Sequence, residues 1–107
     1  MLHICNAFSI NMLEGDAFAS FMRISPEYAQ KLVAAEGFTS HVGHADMAAV
    51  MGKMLQIDLP MNRDTFIKGD DDLLVGQYRG PRLPEGTVEL PEGATIEWWI
   101  VSTQPKD

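Results

Sequence analysis

The segment HADMAAVMGKMLQI, residues 44–57, carries the clearest periodicity in this sequence. Its apolar side chains fall at positions i, i+3, i+4, i+7 and i+8, the spacing that places side chains on one face of an α-helix. They are Met47, Val50, Met51, Met54 and Leu55. We predict a helix that begins near His44 and ends before Asp58. We interpret its methionine stripe as a core face rather than an adaptable binding surface.

Upstream of this helix, the sequence predicts two strands and a further helix. Residues 2–10 are short and apolar-rich, and residues 17–24 alternate, with a turn at residues 14–16 between them. This pattern is typical of a β-hairpin. A helix then runs from Pro26 to Glu36, because Ser25 can cap it, proline suits its first position and Gly37 stops it.

Downstream, three more strands are predicted, over residues 63–68, 73–78 and 95–103, with Trp98 and Trp99 on opposite faces of the last one. The Pro- and Gly-rich segment 80–93 is predicted to be irregular, and residues 104–107 to fray. The whole chain, residues 1–107, is therefore predicted to be one small α/β domain. It would contain a mixed sheet of about five strands with flanking helices.

Composition and charge limit the classes of function. No apolar run is long enough to span a membrane, the N-terminus shows no signal-peptide pattern, and Cys5 is the only cysteine. These features predict a cytoplasmic protein. A net charge of −7 argues against sequence-independent binding of long DNA or RNA, because such binding needs a basic surface. It leaves room for a small anionic ligand held by a few local donors.

The segment Ser40-His41-Val42-Gly43-His44 precedes the second helix, whose N-terminus can hold a phosphate through free backbone N–H groups. Gly43 would let the backbone approach a ligand closely, and His44 is placed to exchange a proton with a phosphoester. The alternative is that His44 only caps the helix. A metal site built from His41 and His44, with Asp46 or Cys5 added, is a weaker alternative because no ligand spacing supports it.

Two further segments carry candidate functional side chains. Polar residues crowd the end of the first strand, in Asn6-Ala7-Phe8-Ser9-Ile10-Asn11-Met12. Arg82 and Glu85 lie three positions apart in the Pro-rich segment. The arginine could donate two hydrogen bonds to a phosphate, and the glutamate could orient that arginine or a ribose hydroxyl. On the residues alone, a surface ion pair of little energetic value is the favoured interpretation.

Together these motifs resemble those of the type III anti-CRISPR ring nuclease family. The matching stretches, in order and spacing along nearly the whole chain, are Asn6 to Leu13, Gly43-His44 followed by an acidic residue, Asn62-Arg63, and Arg82-Leu83-Pro84-Glu85-Gly86. The resemblance implies a homodimer of α/β subunits that binds cyclic tetra-adenylate between them and linearises it without metal or any other cofactor.

By this resemblance, His44 is the general acid and Arg82 and Glu85 support it. The positions that match the family's ligand pocket are Asn6, Ser9, Asn11, Gly43, Arg63 and Gln77. The implied activity would switch off type III CRISPR signalling. The main rival hypothesis is a cyclic-oligonucleotide-binding module that sequesters or senses the messenger without turnover. A second rival is a structural or regulatory viral protein that docks on DNA or on another protein, and the acidic net charge counts against DNA.

Overall fold

The computed structural model describes residues 1–105 and contains five strands, two α-helices and one short 3-10 helix at Ile10–Met12. In chain order the main elements are β1 (Leu2–Cys5), β2 (Ala17–Ile24), α1 (Pro26–Glu36), β3 (Phe38–Ser40), α2 (Ala45–Leu55), β4 (Leu73–Arg79) and β5 (Thr95–Pro105). The strands form one mixed sheet in the order β2-β5-β4-β1-β3. The predicted fold class, a small α/β domain with about five strands and helices, is confirmed.

The predicted hairpin between the first two strands is wrong. β1 lies inside the sheet, where it pairs in parallel with β3 and β4. β2 is an edge strand, at the end of the sheet away from β3, and it pairs antiparallel with β5. The physical reason is burial, since Leu2, Ile4 and Cys5 are all buried. A strand that is apolar on both faces needs neighbours and cover on both, which an edge hairpin does not provide.

Four further assignments differ from the prediction. The first strand ends at Cys5, and β3, which the sequence analysis missed, is only three residues long. Residues 63–68, predicted as a strand, are not in the sheet. Backbone groups beside and within that stretch instead bind loops, with Asn62 N–H donating to Val42 O and Lys68 N–H to Met12 O. Gln104 and Pro105 extend β5 rather than fray. The end of the predicted frayed tail, residues 106–107, lies outside the described residues.

The two predicted helices are confirmed, with the capping expected for α1. Ser25 Oγ accepts a hydrogen bond from Tyr28 N–H, and Gly37, at φ 71°, donates its N–H to Val33 O. Four of the five stripe residues of α2 are buried, and Met54 is half-buried. This stripe packs on β4 so closely that a Cβ added at Gly76 would lie 2.7 Å from Met51 Cε and from Trp98 Cζ3.

The two faces of the sheet are covered differently. The helices cover the face that carries Trp98, which is 1% exposed, and the other face carries a smaller cluster of Cys5, Leu73, Val75 and Val101. Trp99 packs against that second cluster, so the two tryptophans do face opposite sides. No helix within residues 1–105 combines the length and apolar character needed to cross a membrane.

The topology decides where the functional segments meet. β1, β3 and β4 are parallel, so their last residues, Cys5, Ser40 and Arg79, lie toward the same edge of the sheet. We call this the carboxyl edge. The loops that follow these strands carry the three candidate segments, and ligands of open α/β sheets commonly bind at such an edge.

Candidate functional site

A cavity of about 760 Å³ opens near the carboxyl edge, and we call it the edge cavity. Five of the nine predicted site residues line it together: Gly43, His44, Arg63, Arg82 and Glu85. They come from three segments that are far apart in sequence. Its volume lies within the range of about 300–1,000 Å³ that is usual for small-molecule sites. The fold therefore assembles the predicted catalytic trio and two predicted binding residues in one place.

His44 occupies the N-cap of α2 with extended backbone angles, φ −138° and ψ 126°. Its carbonyl accepts the first helical hydrogen bond, from Ala48 N–H at 3.0 Å. Its side chain makes no capping hydrogen bond, and the residue is exposed. His44 therefore does stand at the N-cap, as the capping alternative expected, but its side chain does not cap the helix. The imidazole is left available beside the first-turn N–H groups, which carry partial positive charge.

Arg63 is fastened to the loop that precedes α2. Its Nε and Nη2 both donate to the Gly43 carbonyl oxygen, at 3.1 and 2.9 Å. A Cβ added at Gly43 would lie 3.5 Å from Arg63 Cβ, an ordinary van der Waals distance, and Gly43 does not have a positive φ. Neither packing nor backbone conformation within the chain therefore requires glycine at this position.

Arg82 and Glu85 lie in the loop between β4 and β5, and both are exposed. The loop is anchored beside them, since Leu83 packs against the core and Tyr78 Oη donates to Pro81 O at 2.6 Å. Within residues 1–105, neither Arg82 nor Glu85 forms an ion pair. The interpretation of these two residues as a surface ion pair is therefore wrong.

The other four predicted binding residues lie outside the edge cavity. Ser9 and Asn11 line a smaller cavity of about 220 Å³ together with Asp64, which follows Arg63 in the chain. Gln77 lines a cavity of about 280 Å³ on the sheet face opposite the helices, next to Trp99. Asn6 is half-buried in the turn after β1 and lines none of these three cavities.

Sequence reasoning missed a cluster beside Ser9 and Asn11. His3 and His41 lie 2.8 Å apart through ring nitrogens, and each also meets a carboxylate, Asp71 or Asp64 respectively. The hydrogen bond from His3 holds the pKa of Asp71 below its ordinary value. Phe66 stacks on His41 with ring centroids 3.8 Å apart. No spacing signal could have shown this cluster, because its hydrogen-bonded partners are separated by 23 to 68 positions.

The described residues offer no arrangement for a metal ion. Within residues 1–105, no group of three or more His, Cys, Asp or Glu side chains is placed to hold one. Both ring nitrogens of His41 are hydrogen-bonded to other side chains, so His41 is not available to pair with His44 around a metal. The remaining candidate ligand, Cys5, is buried, and its Sγ donates to Ala7 O at 3.2 Å.

Comparisons with known proteins agree with the architecture described above. The sequence matches the STIV B116-like family over residues 2–98. It is 30% identical over 105 residues to Uncharacterized protein 26 of Sulfolobus islandicus filamentous virus (isolate Iceland/Hveragerdi), a match that covers 94% of this chain and 89% of the relative. The solved structure of B116 of Sulfolobus turreted icosahedral virus (STIV) has the same fold, with a TM-score of 0.77, 24% identity, and coverage of 94% of this chain and 97% of that one. The chain belongs to the STIV B116-like family, and both relatives named here are viral proteins.

Proposed function

We propose that this protein is a metal-independent ring nuclease that cleaves cyclic tetra-adenylate. One observation carries the proposal: the edge cavity brings together a histidine whose side chain makes no hydrogen bond to its own helix, two arginines and a helix N-terminus. All of these groups favour an anion. Asp46 and Glu85 also line the cavity and balance the two arginines in formal charge, so its excess positive charge comes from the helix N-terminus and from His44 in its imidazolium form. A phosphate-containing ligand fits this charge pattern better than a long nucleic acid does.

The side chains match the chemistry of RNA cleavage by the ribose 2′-hydroxyl. The 2′-oxygen forms a bond to phosphorus while the bond from phosphorus to the 5′-oxygen breaks in line. The 2′-hydroxyl proton passes to solvent, and His44 in its imidazolium form gives a proton to the departing 5′-oxygen. The products are linear adenylates with a 2′,3′-cyclic phosphate and a 5′-hydroxyl. Because the substrate supplies its own nucleophile, no metal is needed.

The remaining cavity residues have supporting roles in this proposal. Arg82 offsets the charge that builds up on the phosphorane, where a fixed cation is most effective. Glu85, three residues further along the same loop, makes no ion pair with Arg82 and has the role of orienting a ribose hydroxyl of the ligand. Gly43, where the chain itself does not require glycine, leaves room for the sugar-phosphate backbone to approach the loop.

The proposal includes a homodimer that holds the ligand between its subunits. A two-fold dimer presents the same cavity twice, and a ring of four identical nucleotides can share that symmetry. Association of chains is supported by β2, an edge strand on which Phe18, Phe21 and Met22 are 64%, 53% and 61% exposed. An exposed apolar edge strand is typical of a surface that pairs or becomes covered.

The function is tested by incubating the protein with cyclic tri-, tetra- and hexa-adenylate in the presence of EDTA and identifying products by mass. We expect cyclic tetra-adenylate to give linear products with 2′,3′-cyclic phosphate ends, in molar excess over the protein because each subunit turns over repeatedly. Bound but intact ligand would favour the sequestering module instead. Cleavage that requires divalent metal would contradict the mechanism.

Light scattering of the free and ligand-bound protein tests the dimer, which a single-subunit mass in both states would exclude. In an infected cell, such cleavage would remove the messenger of type III CRISPR defence.

A further inference from the structure

Four ionisable side chains form a continuous hydrogen-bonded row next to the edge cavity. Asp71 Oδ2 lies 3.0 Å from His3 Nε2, His3 Nδ1 lies 2.8 Å from His41 Nε2, and His41 Nδ1 lies 2.8 Å from Asp64 Oδ1. The two imidazoles are shielded from water, with side chains 15% exposed for His3 and 6% for His41. His41 lies two residues before Gly43, and Asp64 follows Arg63.

Counting protons along this row fixes its charge. Each of its three links needs one proton between its two heavy atoms, and a carboxylate supplies none. A neutral histidine carries one ring proton, so two neutral histidines supply two, and both are used on the outer links to Asp71 and Asp64. Two lone pairs would then face each other across 2.8 Å. A third proton closes the central link, and the pair then carries one positive charge between two carboxylates.

The groups that face this pair come from several parts of the fold. The N-terminal ammonium of Met1 lies 3.6 Å from Asp71 Oδ1, and Asn62 Nδ2 donates to Asp64 Oδ2 at 3.3 Å. Phe66 stacks on His41 and lies 5.1 Å from His3 between ring centroids. The two carboxylates are the negative groups in contact with the rings, and each accepts a hydrogen bond from one outer ring nitrogen.

The row ends on a paired structure that forms one wall of the edge cavity. Segments 40–43 and 60–64 run side by side and are joined along their length. The joining contacts are Ser40 Oγ to Pro60 O at 2.6 Å, Asn62 Nδ2 to Ser40 O at 2.8 Å, Asn62 N to Val42 O at 2.8 Å, and the Arg63 fork to Gly43 O. The bond between His41 and Asp64 closes this pairing at its end, and His3 ties it to β1.

We infer that His3 and His41 share one proton and that this proton positions the Gly43 carbonyl and Arg63 at the wall of the edge cavity. His3, His41, Asp64 and Asp71 are then positioning residues rather than catalytic ones, because they act on a ligand only through their neighbours. The effect on a ligand rests on the proposed function, but the shared proton and the closed pairing of the two segments do not.

The first test needs no ligand. The chain has three histidines, so a proton–nitrogen NMR spectrum of the imidazoles resolves every ring nitrogen, with His44→Ala assigning the third ring. Near neutral pH we expect three protons on the four nitrogens of His3 and His41, with the two facing nitrogens at shifts between those of protonated and bare nitrogen. Two protons on the pair, one on each outer nitrogen, would overturn the inference. This wild-type measurement decides the matter even if a substitution unfolds the chain.

The second test follows the pairing of the two segments by amide exchange. The backbone amide of Asn62, which donates to Val42 O, is compared with the backbone amide of Ala29 in α1, which donates to Ser25 O. As rising pH removes the third proton, we expect Asn62 to exchange about tenfold or more faster relative to Ala29. In His3→Gln the ratio should stay flat, because a glutamine amide can donate to His41 without a third proton. If the exchange ratio of His3→Gln rose with pH as it does in wild type, the inference would be contradicted.

A ligand arm separates this inference from the proposed function. In the His44→Ala background, which removes the titratable imidazole of the cavity, we expect the Kd for cyclic tetra-adenylate to rise with pH in step with Asn62 exchange. The Asp72 carboxylate lies outside the row and accepts from Ser102 Oγ at 3.4 Å. Asp72→Asn is therefore the control, and it should leave the pH dependence of the Kd unchanged. If the ligand does not bind at any pH, the proposed function fails and the two ligand-free results still stand. If it binds with a pH-independent Kd while the exchange ratio moves, the positioning role is wrong.

Discussion

Arg63 donates two hydrogen bonds to the backbone carbonyl of Gly43, from Nε at 3.1 Å and from Nη2 at 2.9 Å. These bonds fix the loop that leads into α2 against segment 60–64. They do not involve Nη1, and Arg63 still lines the edge cavity. One side chain therefore shapes the cavity wall and contributes positive charge to it.

Replacing Arg63 with lysine should weaken ligand binding more than the unchanged charge suggests. A lysine keeps the cation but cannot reproduce the planar fork on the Gly43 carbonyl. We expect the Kd for cyclic tetra-adenylate to rise about tenfold, the loss of roughly one good hydrogen bond to a charged group, as measured by calorimetry. The control is Arg23→Lys, an arginine on β2 near Glu97, which should leave the Kd unchanged. Equal effects of the two substitutions would argue against a role for the fork.

His44→Ala should lower turnover and spare affinity. The imidazole is exposed and makes no capping bond, so its removal should change the free energy of unfolding by about 0.5 kcal/mol or less. Loss of a general acid typically costs about 10² to 10⁴ in rate, and the backbone donors and both arginines remain for binding. Single-turnover cleavage and calorimetry measure the two quantities. Cleavage by His44→Ala at nearly the wild-type rate would exclude it as the acid.

His41→Ala does not serve as a neutral control for that experiment. Its ring is hydrogen-bonded to His3 and Asp64 and stacked on Phe66, so its removal leaves shielded polar groups without partners. We expect His41→Ala to lower the Tm measurably, with any loss of turnover following from disorder of the cavity wall. Thermal unfolding of the two variants side by side distinguishes the two histidines.

Two glycine substitutions should separate packing from ligand approach. Gly76→Ala places a Cβ 2.7 Å from Met51 Cε and Trp98 Cζ3, so we expect a loss of about 1–3 kcal/mol in the free energy of unfolding. Gly43→Ala meets nothing closer than 3.5 Å and should leave that free energy nearly unchanged. If the sugar-phosphate backbone approaches this loop, Gly43→Ala should nevertheless weaken binding. Urea unfolding and calorimetry on both variants check this, and normal affinity of Gly43→Ala would place the ligand elsewhere.

Alkaline pH should destabilise the fold through Cys5. Burial raises the pKa of its thiol from 9.0 to about 11, so the folded state holds the thiol neutral where the unfolded chain ionises it. The contribution is complete below pH 9 and is lost as pH rises toward about 11. From this shift we expect wild type to lose about 2 kcal/mol relative to Cys5→Ala between about pH 8 and pH 10.5. Urea unfolding at both pH values measures the difference, and parallel losses in the two proteins would contradict the assignment.

The helices were predictable because their signals are local. The cap at Ser25, the stop at Gly37 and the apolar stripe of α2 each act within a few residues, and the structure retains all three. The pairing of the strands was not predictable, because it depends on contacts between distant segments. The three residues of β3 are too few to show a period, and only their parallel pairing with β1 makes them a strand.

The same distinction holds for the candidate site. The sequence by itself determined which residue types are available, that His44 stands at the start of a helix, and that Arg82 and Glu85 lie in an irregular loop after a strand. Only the tertiary structure decided that these residues share one cavity with Arg63, while Gln77 faces the other side of the sheet. It alone also brought His3 to His41 and placed each beside a carboxylate. The physical reason is that parallel pairing of β1 with β3 and β4 gathers three distant loops at one edge, and no local signal in the chain encodes that pairing.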